Sequence, residues 1–237
     1  MLELKKILST SLAAALLLTS TAVASADTAT APTGVAQSVQ QEFPLQLDEL
    51  TTISTPYDPS LYSFQRSESP SEVIVKVVDM NSGRIVETIG EKIEAHMKPA
   101  GVSIMASGTY TTRTAYRTFT DPGVNGQHFA GADLYTVYNC WQSGSFGQIN
   151  SVSDTYWSPM PGNADFTLEA PHQQSQPTGN TNTFPTNKIT TTGTVVFSTH
   201  KSSAFGISLG AFSFTLGADG YNRYTVRNAA YNITFGQ

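Results

Sequence analysis

The chain contains one cysteine, Cys140, in 237 residues, and that shortage excludes an internal disulfide framework. Its fold must rest on an ordinary hydrophobic core. A solitary cysteine is by default a small buried apolar side chain. Charge is scarce as well, with Asp, Glu, Lys and Arg at 13% of residues, about half the usual share. The formal net charge of −5 supplies no basic field for nucleic acid or an anionic lipid surface, so neither partner is expected. Past the N-terminus no apolar run reaches the ~20 residues of a spanning helix, and stable membrane insertion is not expected. His96, His128, His172 and His200 are far apart, without His-x-His or His-Glu-x-x-His spacing. No metal site follows from them. Phosphate-cradling loops and Gly-x-Ser-x-Gly elbows are missing too, and no cofactor is implied.

What is present begins with an address. Lys5 and Lys6 precede an apolar Leu/Ala run over Leu12 to Leu18, and Ala24-Ser25-Ala26 offers the small residues a signal peptidase requires. This pattern predicts a signal peptide over residues 1–26, cleavage before Asp27, and a secreted, extracellular protein. Removing Glu3, Lys5 and Lys6 with it leaves 11 basic and 17 acidic residues.

The charge divides unevenly. Residues 27–106 carry 5 basic and 11 acidic side chains, and residues 107–237 carry 6 of each. That asymmetry places a boundary near Gly101 to Ser107. Residues 27–70 are Thr/Ala/Pro-rich and are interrupted by Pro44, Pro56, Pro59 and Pro70, so they read as a flexible acidic arm. Residues 71–106 read as a separate β-hairpin plus a short helix, serving as linker or pro-segment. In the hairpin Val73, Val75 and Val77 recur at every second position, Asp79 to Gly83 supplies turn chemistry, and Arg84 to Ile89 returns. Glu91 to Lys98 is charged enough for two helical turns before Pro99.

Residues 107–237 are β throughout. Strands are expected over Tyr110 to Phe119, Leu134 to Gln142, Phe146 to Trp157, Asp165 to Glu169, Ile189 to Thr199, Phe205 to Leu216 and Tyr221 to Phe235, with Pro171 to Asn187 as a surface loop. The fold class is therefore all-β, a mainly antiparallel sandwich or barrel. Arg113 and Arg117 share one face of their strand. Leu134, Tyr138 and Cys140 share one face of the next, and Tyr135, Val137 and Trp141 the other. The apolar phase inverts at Gly210-Ala211, which suggests a bulge or bend.

Three functional classes are open to this pattern. Aromatic side chains among Asn, Gln and Thr suit stacking on sugars or docking a partner, because the rings are rigid and amphipathic. This favours a non-catalytic binding role toward an extracellular glycan or protein surface, with Trp157, Tyr156, Trp141 and Tyr135 as contacts and Trp157, beside Pro159 and Pro161, as the exposed anchor. A hydrolase would use Cys140 or a pair of carboxylates. Asn139-Cys140-Trp141 resembles papain-type proteases in its Cys-Trp pair, which implies His172 or His200 as base. Asp154 and Glu169 are the candidate acid/base pair. Asp121, His128 and Asp133 flank a Gly-rich turn and form a weak calcium candidate. A membrane-active β protein would use the alternating segment Ser203 to Leu216.

Overall fold

The computed structural model describes residues 41–95, 108–124, 127–160, 166–179, 181–200, 203–204, 207–209 and 213–236. The expected signal peptide, the first part of the arm and the charge boundary near Gly101 lie outside these residues. The described residues form two antiparallel sheets packed face to face, as the alternation predicts, with no α-helix among them.

The chain first makes a hairpin, β1 (Phe43–Gln46) and β2 (Thr51–Thr55). Asp48 shapes its turn by accepting hydrogen bonds from the Leu50 and Thr51 amides. The chain then crosses to the other sheet and runs as an unbroken meander: β3 (Tyr62–Ser69), β4 (Glu72–Asp79), β5 (Ile85–Ala95), β6 (Thr109–Thr120), β7 (Gly131–Ser143) and β8 (Phe146–Pro159). It returns as β9 (Thr167–Pro177) and β10 (Lys188–Thr199). Three short pieces follow, β11 (Ser203–Ala204), β12 (Ile207–Ser208) and β13 (Thr215–Leu216). Finally β14 (Asn222–Phe235) enters between β2 and β10, giving the order β1-β2-β14-β10-β9.

Residues 43–69 are therefore not an arm. They contribute β1, β2 and β3, and Leu47 and Ile53 are fully buried. The prolines that suggested disorder sit where a strand tolerates them: Pro44 on an edge strand, Pro56 and Pro59 in the crossover, and Pro70 in the β3–β4 turn. Nor is the β4–β5 hairpin separate, since β5 pairs with β6 from Ile89 to Ala95. That pairing also replaces the helix expected from Glu91, at least as far as Ala95. Removing residues 27–106 as a pro-segment would take five strands and the buried side chains of Val73, Val75, Val77 and Ile89 with it.

The expected turn is present, with Gly83 at φ 70 and Asp79 Oδ1 accepting from the Asn81 and Ser82 amides. Pro171 to Pro177, read as loop, instead extends β9. At the Ala170-Pro171 step the register against β10 shifts, and Ala170 adopts φ 45. β9 is an edge strand, so a bulge there accommodates the proline without leaving a central hydrogen bond unmade. The stretch Ser203 to Leu216 shows only two-residue strands, and Phe214 packs edge-on against Phe129. No long spanning strand is described in that stretch, and Gly210-Ala211 lies outside the described residues.

Between the sheets the core mixes aliphatic and polar groups. Thr136 Oγ1 lies 2.6 Å from Thr191 Oγ1 and 2.7 Å from the Tyr231 hydroxyl, which donates to the Leu134 carbonyl at 3.1 Å. Each of these three hydroxyls thereby finds a partner, as burial requires.

Candidate functional site

The face of the β3–β8 sheet turned away from its partner carries a row of tyrosines. β6, β7 and β8 are in register here, with Tyr116 opposite Tyr135 and Tyr135 opposite Tyr156. Neighbouring strands lie about 4.8 Å apart, so ring on ring is the natural packing. Tyr135 and Tyr156 stack with centroids 4.9 Å apart at 10°, and Tyr116 leans on Tyr135 at 5.2 Å. At the inner end of the row the Tyr116 ring lies across Gly90 of β5, where an added Cβ would fall 2.4 Å from Tyr116 Cζ. Gly90 thus keeps the row flat rather than breaking the strand.

Exposure grades along the row. Tyr116 is buried, Tyr135 half-buried and Tyr156 exposed at 36%. Tyr135 donates to Asp133 Oδ2 at 3.2 Å, and Thr118 donates to Asp133 Oδ1 at 2.6 Å. Burial pushes the Tyr116 phenol up to about 12, with Glu72 and Asp133 adding to the effect. Burial and then the Asp133 charge raise Tyr135 as well. The phenols stay neutral and can donate. Burial also raises the Asp133 carboxyl. Further along the same face, Thr112 donates to Asn139 at 2.6 Å and Asn139 donates to Ser151 at 3.1 Å. Beyond that polar rung, Trp141 covers Gly108 and meets the exposed Phe146 edge-on at 5.7 Å. Tyr135 and Trp141 are six residues apart on β7, roughly 20 Å.

Of the four aromatics expected at the surface, the fold brings Tyr135 and Tyr156 together and places Trp141 at the far end of the face. Trp157 is turned the other way, opposite Leu134 on the core side. It packs edge-on against Phe119 and over Gly193, where an added Cβ would sit 3.0 Å from the indole. It is a core residue, not an exposed anchor. Two register shifts against β7 bring Val152 inward between them, and they cancel before Trp157, which keeps the inward phase of Ile149. Tyr116 belongs to the row as well; its signal in the sequence is a place on the same face of β6 as Thr112 and Thr114.

The interior holds a second polar arrangement. Arg113 and Arg117, as their shared parity implied, point the same way, and that way is inward. Each meets a glutamate of β5. Arg113 donates to Glu91 Oε2 and to Thr51 Oγ1, both at 2.9 Å, and also to Asp48. Tyr138 donates to the other Glu91 oxygen. Arg117 forks onto both Glu87 oxygens and donates to the Ala230 carbonyl at 3.0 Å. Burial raises the Glu91 carboxyl, against the pull of Arg113. Burial alone would raise Asp48 too, but Arg113 and the amides of Leu50 and Thr51 outweigh it and hold that carboxyl below its ordinary value. Each pair lines an opening. Arg117 and Glu87 line one of about 360 Å³ with Tyr57 and Phe119. Arg113 lines one of about 610 Å³ with Asp48, Arg66, Glu68 and Gln142.

The catalytic candidates are placed less favourably. Cys140 is fully buried, and burial pushes its thiol well above the ordinary range, the reverse of an activated nucleophile. His172 lies on the edge strand β9, and His200 has its ring against Tyr221. Glu169 binds Arg223 at 2.8 Å, which lowers its carboxyl, whereas a general acid needs a raised one. Asp154 is exposed on β8. Asp121 is occupied by the Phe129, Ala130 and Gly123 amides. Among the described residues no three His, Cys, Asp or Glu side chains converge as metal ligands, and no helix is long and apolar enough to cross a membrane. No family model matches the chain, and no curated protein or solved structure matches it either.

Proposed function

We propose that this is a secreted, non-catalytic binding protein that holds an extracellular glycan on the outer face of its six-stranded sheet. The observation that carries the reading is the stacked pair Tyr135–Tyr156, with Tyr156 standing exposed at the end of the row. Tyr135 gives one ring face to its neighbour, so the outer face of Tyr156 is the surface left for a sugar ring. Burial raises the Tyr156 phenol and the nearby charges of Asp154 and Glu94 add to the effect, while the neutral hydrogen-bonding groups Thr112, Asn139 and Ser151 form a rung further along the same face and suit hydroxyl-rich ligands. A glycan is favoured over a protein at this face because the other large exposed apolar side chains belong to other parts of the fold: Leu61 and Met80 adjoin, the Met80 amide donating to the Leu61 carbonyl at 3.1 Å, with Ile85 near them at the start of β5, Leu216 on β13 and Phe146 at the far end of β8. The signal peptide pattern supplies the location.

A glycan array probed with the secreted protein tests the reading, followed by titration of a retained glycan against Tyr156→Ala. Loss of one exposed stacking contact should weaken binding by up to about tenfold, with the thermal unfolding profile kept. An array without retained glycans, or a variant that binds as tightly as the parent, would overturn it.

A further inference from the structure

The outer edge of β3 is an unpaired strand with a self-complementary charge pattern. Met80 N–H donates to the Leu61 carbonyl at 3.1 Å, so Leu61 and every second residue after it turn their main-chain groups toward β4. Tyr62, Phe64, Arg66 and Glu68 turn theirs outward, where no described strand pairs with them. Asp58 takes the Tyr62 amide at 3.0 Å, and Phe64, Arg66 and Glu68 lie open to a further strand. Every residue from Gln65 to Ser69 is exposed.

The other outermost strands are blunted. β1 has four residues and carries Pro44, and β9 carries Pro171, Pro177 and a register shift. β8 is flanked by β9, with Thr155 Oγ1 2.8 Å from Ser175 Oγ and Trp157 Nε1 donating to the His172 carbonyl. β3 has none of these devices. It runs eight residues without proline and pairs with β4 in unbroken register. Its only charges, Arg66 and Glu68, pair with each other at 3.0 Å at the surface. Charges of one sign would repel a second copy of this edge, whereas an Arg and a Glu two positions apart do not.

A two-fold axis makes every contact between two copies reciprocal, so each register of β3 against β3 has a definite charge pattern. Centred on Arg66, the strands would set guanidinium against guanidinium. Centring on Glu68 sets carboxylate against carboxylate, and centring on Gln65 leaves both charges facing Tyr62 and Phe64. Centred on Ser67, each Arg66 stands opposite Glu68 of the second copy, and the two exchange both main-chain hydrogen bonds. We propose that this protein forms a homodimer by antiparallel pairing of β3 with β3 centred on Ser67, which joins the two β3–β8 sheets into one. The axis stands perpendicular to that sheet, so the tyrosine rows of both copies face the same side. The contact is small and the dimer accordingly weak, and it does not depend on what the tyrosines bind.

Sedimentation equilibrium of the full chain over roughly 1 μM to 1 mM should show a monomer–dimer equilibrium. Arg66→Glu or Glu68→Arg alone should weaken it by about tenfold or more, because like charges then face each other twice. Mixing the two single variants should restore association, since an acidic edge then meets a basic one; a loss of folding would not be repaired by mixing. Ser67→Cys reads the register. The two substituted positions would stand about 4.5 Å apart between Cα atoms, within disulfide reach, and mild oxidation should link them. Gln65→Cys, displaced from its counterpart by roughly 13 Å along the strand, should stay unlinked. A monomer throughout the range, dimerisation that survives either single charge reversal, no recovery on mixing, or failure of Ser67→Cys to link in preference to Gln65→Cys would each overturn the proposal.

Discussion

Gly90→Ala offers a test of the tyrosine row that touches no exposed residue. The added methyl would fall 2.4 Å from both Cζ and the hydroxyl oxygen of Tyr116. Carbon atoms in contact stay about 3.5–4.0 Å apart, so the ring must retreat by roughly 1–1.5 Å. It is buried and backed by Tyr135 at 5.2 Å, so it has little room to do so. Such overpacking costs about 1–3 kcal/mol. In a Tyr116→Ala background the obstacle is gone, and alanine is then better than glycine in a strand by about 0.5–1 kcal/mol. Gly90→Ala should therefore destabilise the parent and be neutral or mildly stabilising in Tyr116→Ala. Urea unfolding of the four proteins closes the cycle, with an expected coupling of about 2–3 kcal/mol. Coupling within about 0.5 kcal/mol of zero would refute the claim that Gly90 exists to let Tyr116 lie across β5.

Three further outcomes follow from the interior. Glu91→Ala leaves Arg113 buried with only part of its compensation and should cost about 3–5 kcal/mol in urea unfolding, whereas a paired replacement of Glu91 and Arg113 by apolar residues should recover most of that loss. Cys140 should be inert to a thiol reagent in the folded protein and react fully in denaturant; rapid labelling of the native state would contradict its burial. Asp48, held below its ordinary value, contributes stability that is complete above the ordinary carboxylate range near pH ~4 and is lost as pH falls through its lowered pKa. Asp48→Asn should accordingly be less stable than the parent at neutral pH, with the gap closing as the pH is lowered. Burial raises the Glu91 carboxyl and the Asp48 charge adds to that rise, so Asp48→Asn also lowers the Glu91 carboxyl and the two contributions are coupled through Arg113.

The strands of this fold are legible in the sequence wherever alternation is clean. Val73, Val75 and Val77, the Asp79 to Gly83 turn, and the division of β7 into a Tyr138/Cys140 face and a Tyr135/Trp141 face all stand in the structure as they read. The failures share one cause, which is that local signals are overruled by partners distant in sequence. Proline marks a break only if the strand is central, and Pro44 and Pro171 are on edges. Glu91 looks like a solvated helix residue until Arg113, on the neighbouring strand, takes it inward. Gly90 looks like a stop until Tyr116 needs the space. Trp157 looks exposed because Pro159 and Pro161 follow it, but it stands opposite the inward-facing Leu134. Two of the three tyrosines of the row, Tyr135 and Tyr156, stand out in the sequence as contacts, and their stacking depends on a register that only the folded sheet supplies.

The central claim is that the outer tyrosine face is the contact surface for a glycan. Its most direct test is one glycan array probed side by side with the secreted protein and Tyr156→Ala. The account predicts a defined set of retained glycans whose signal falls in the variant while the Trp141 end of the face and the fold stay unchanged. Identical retention by both proteins, or none by either, would contradict it.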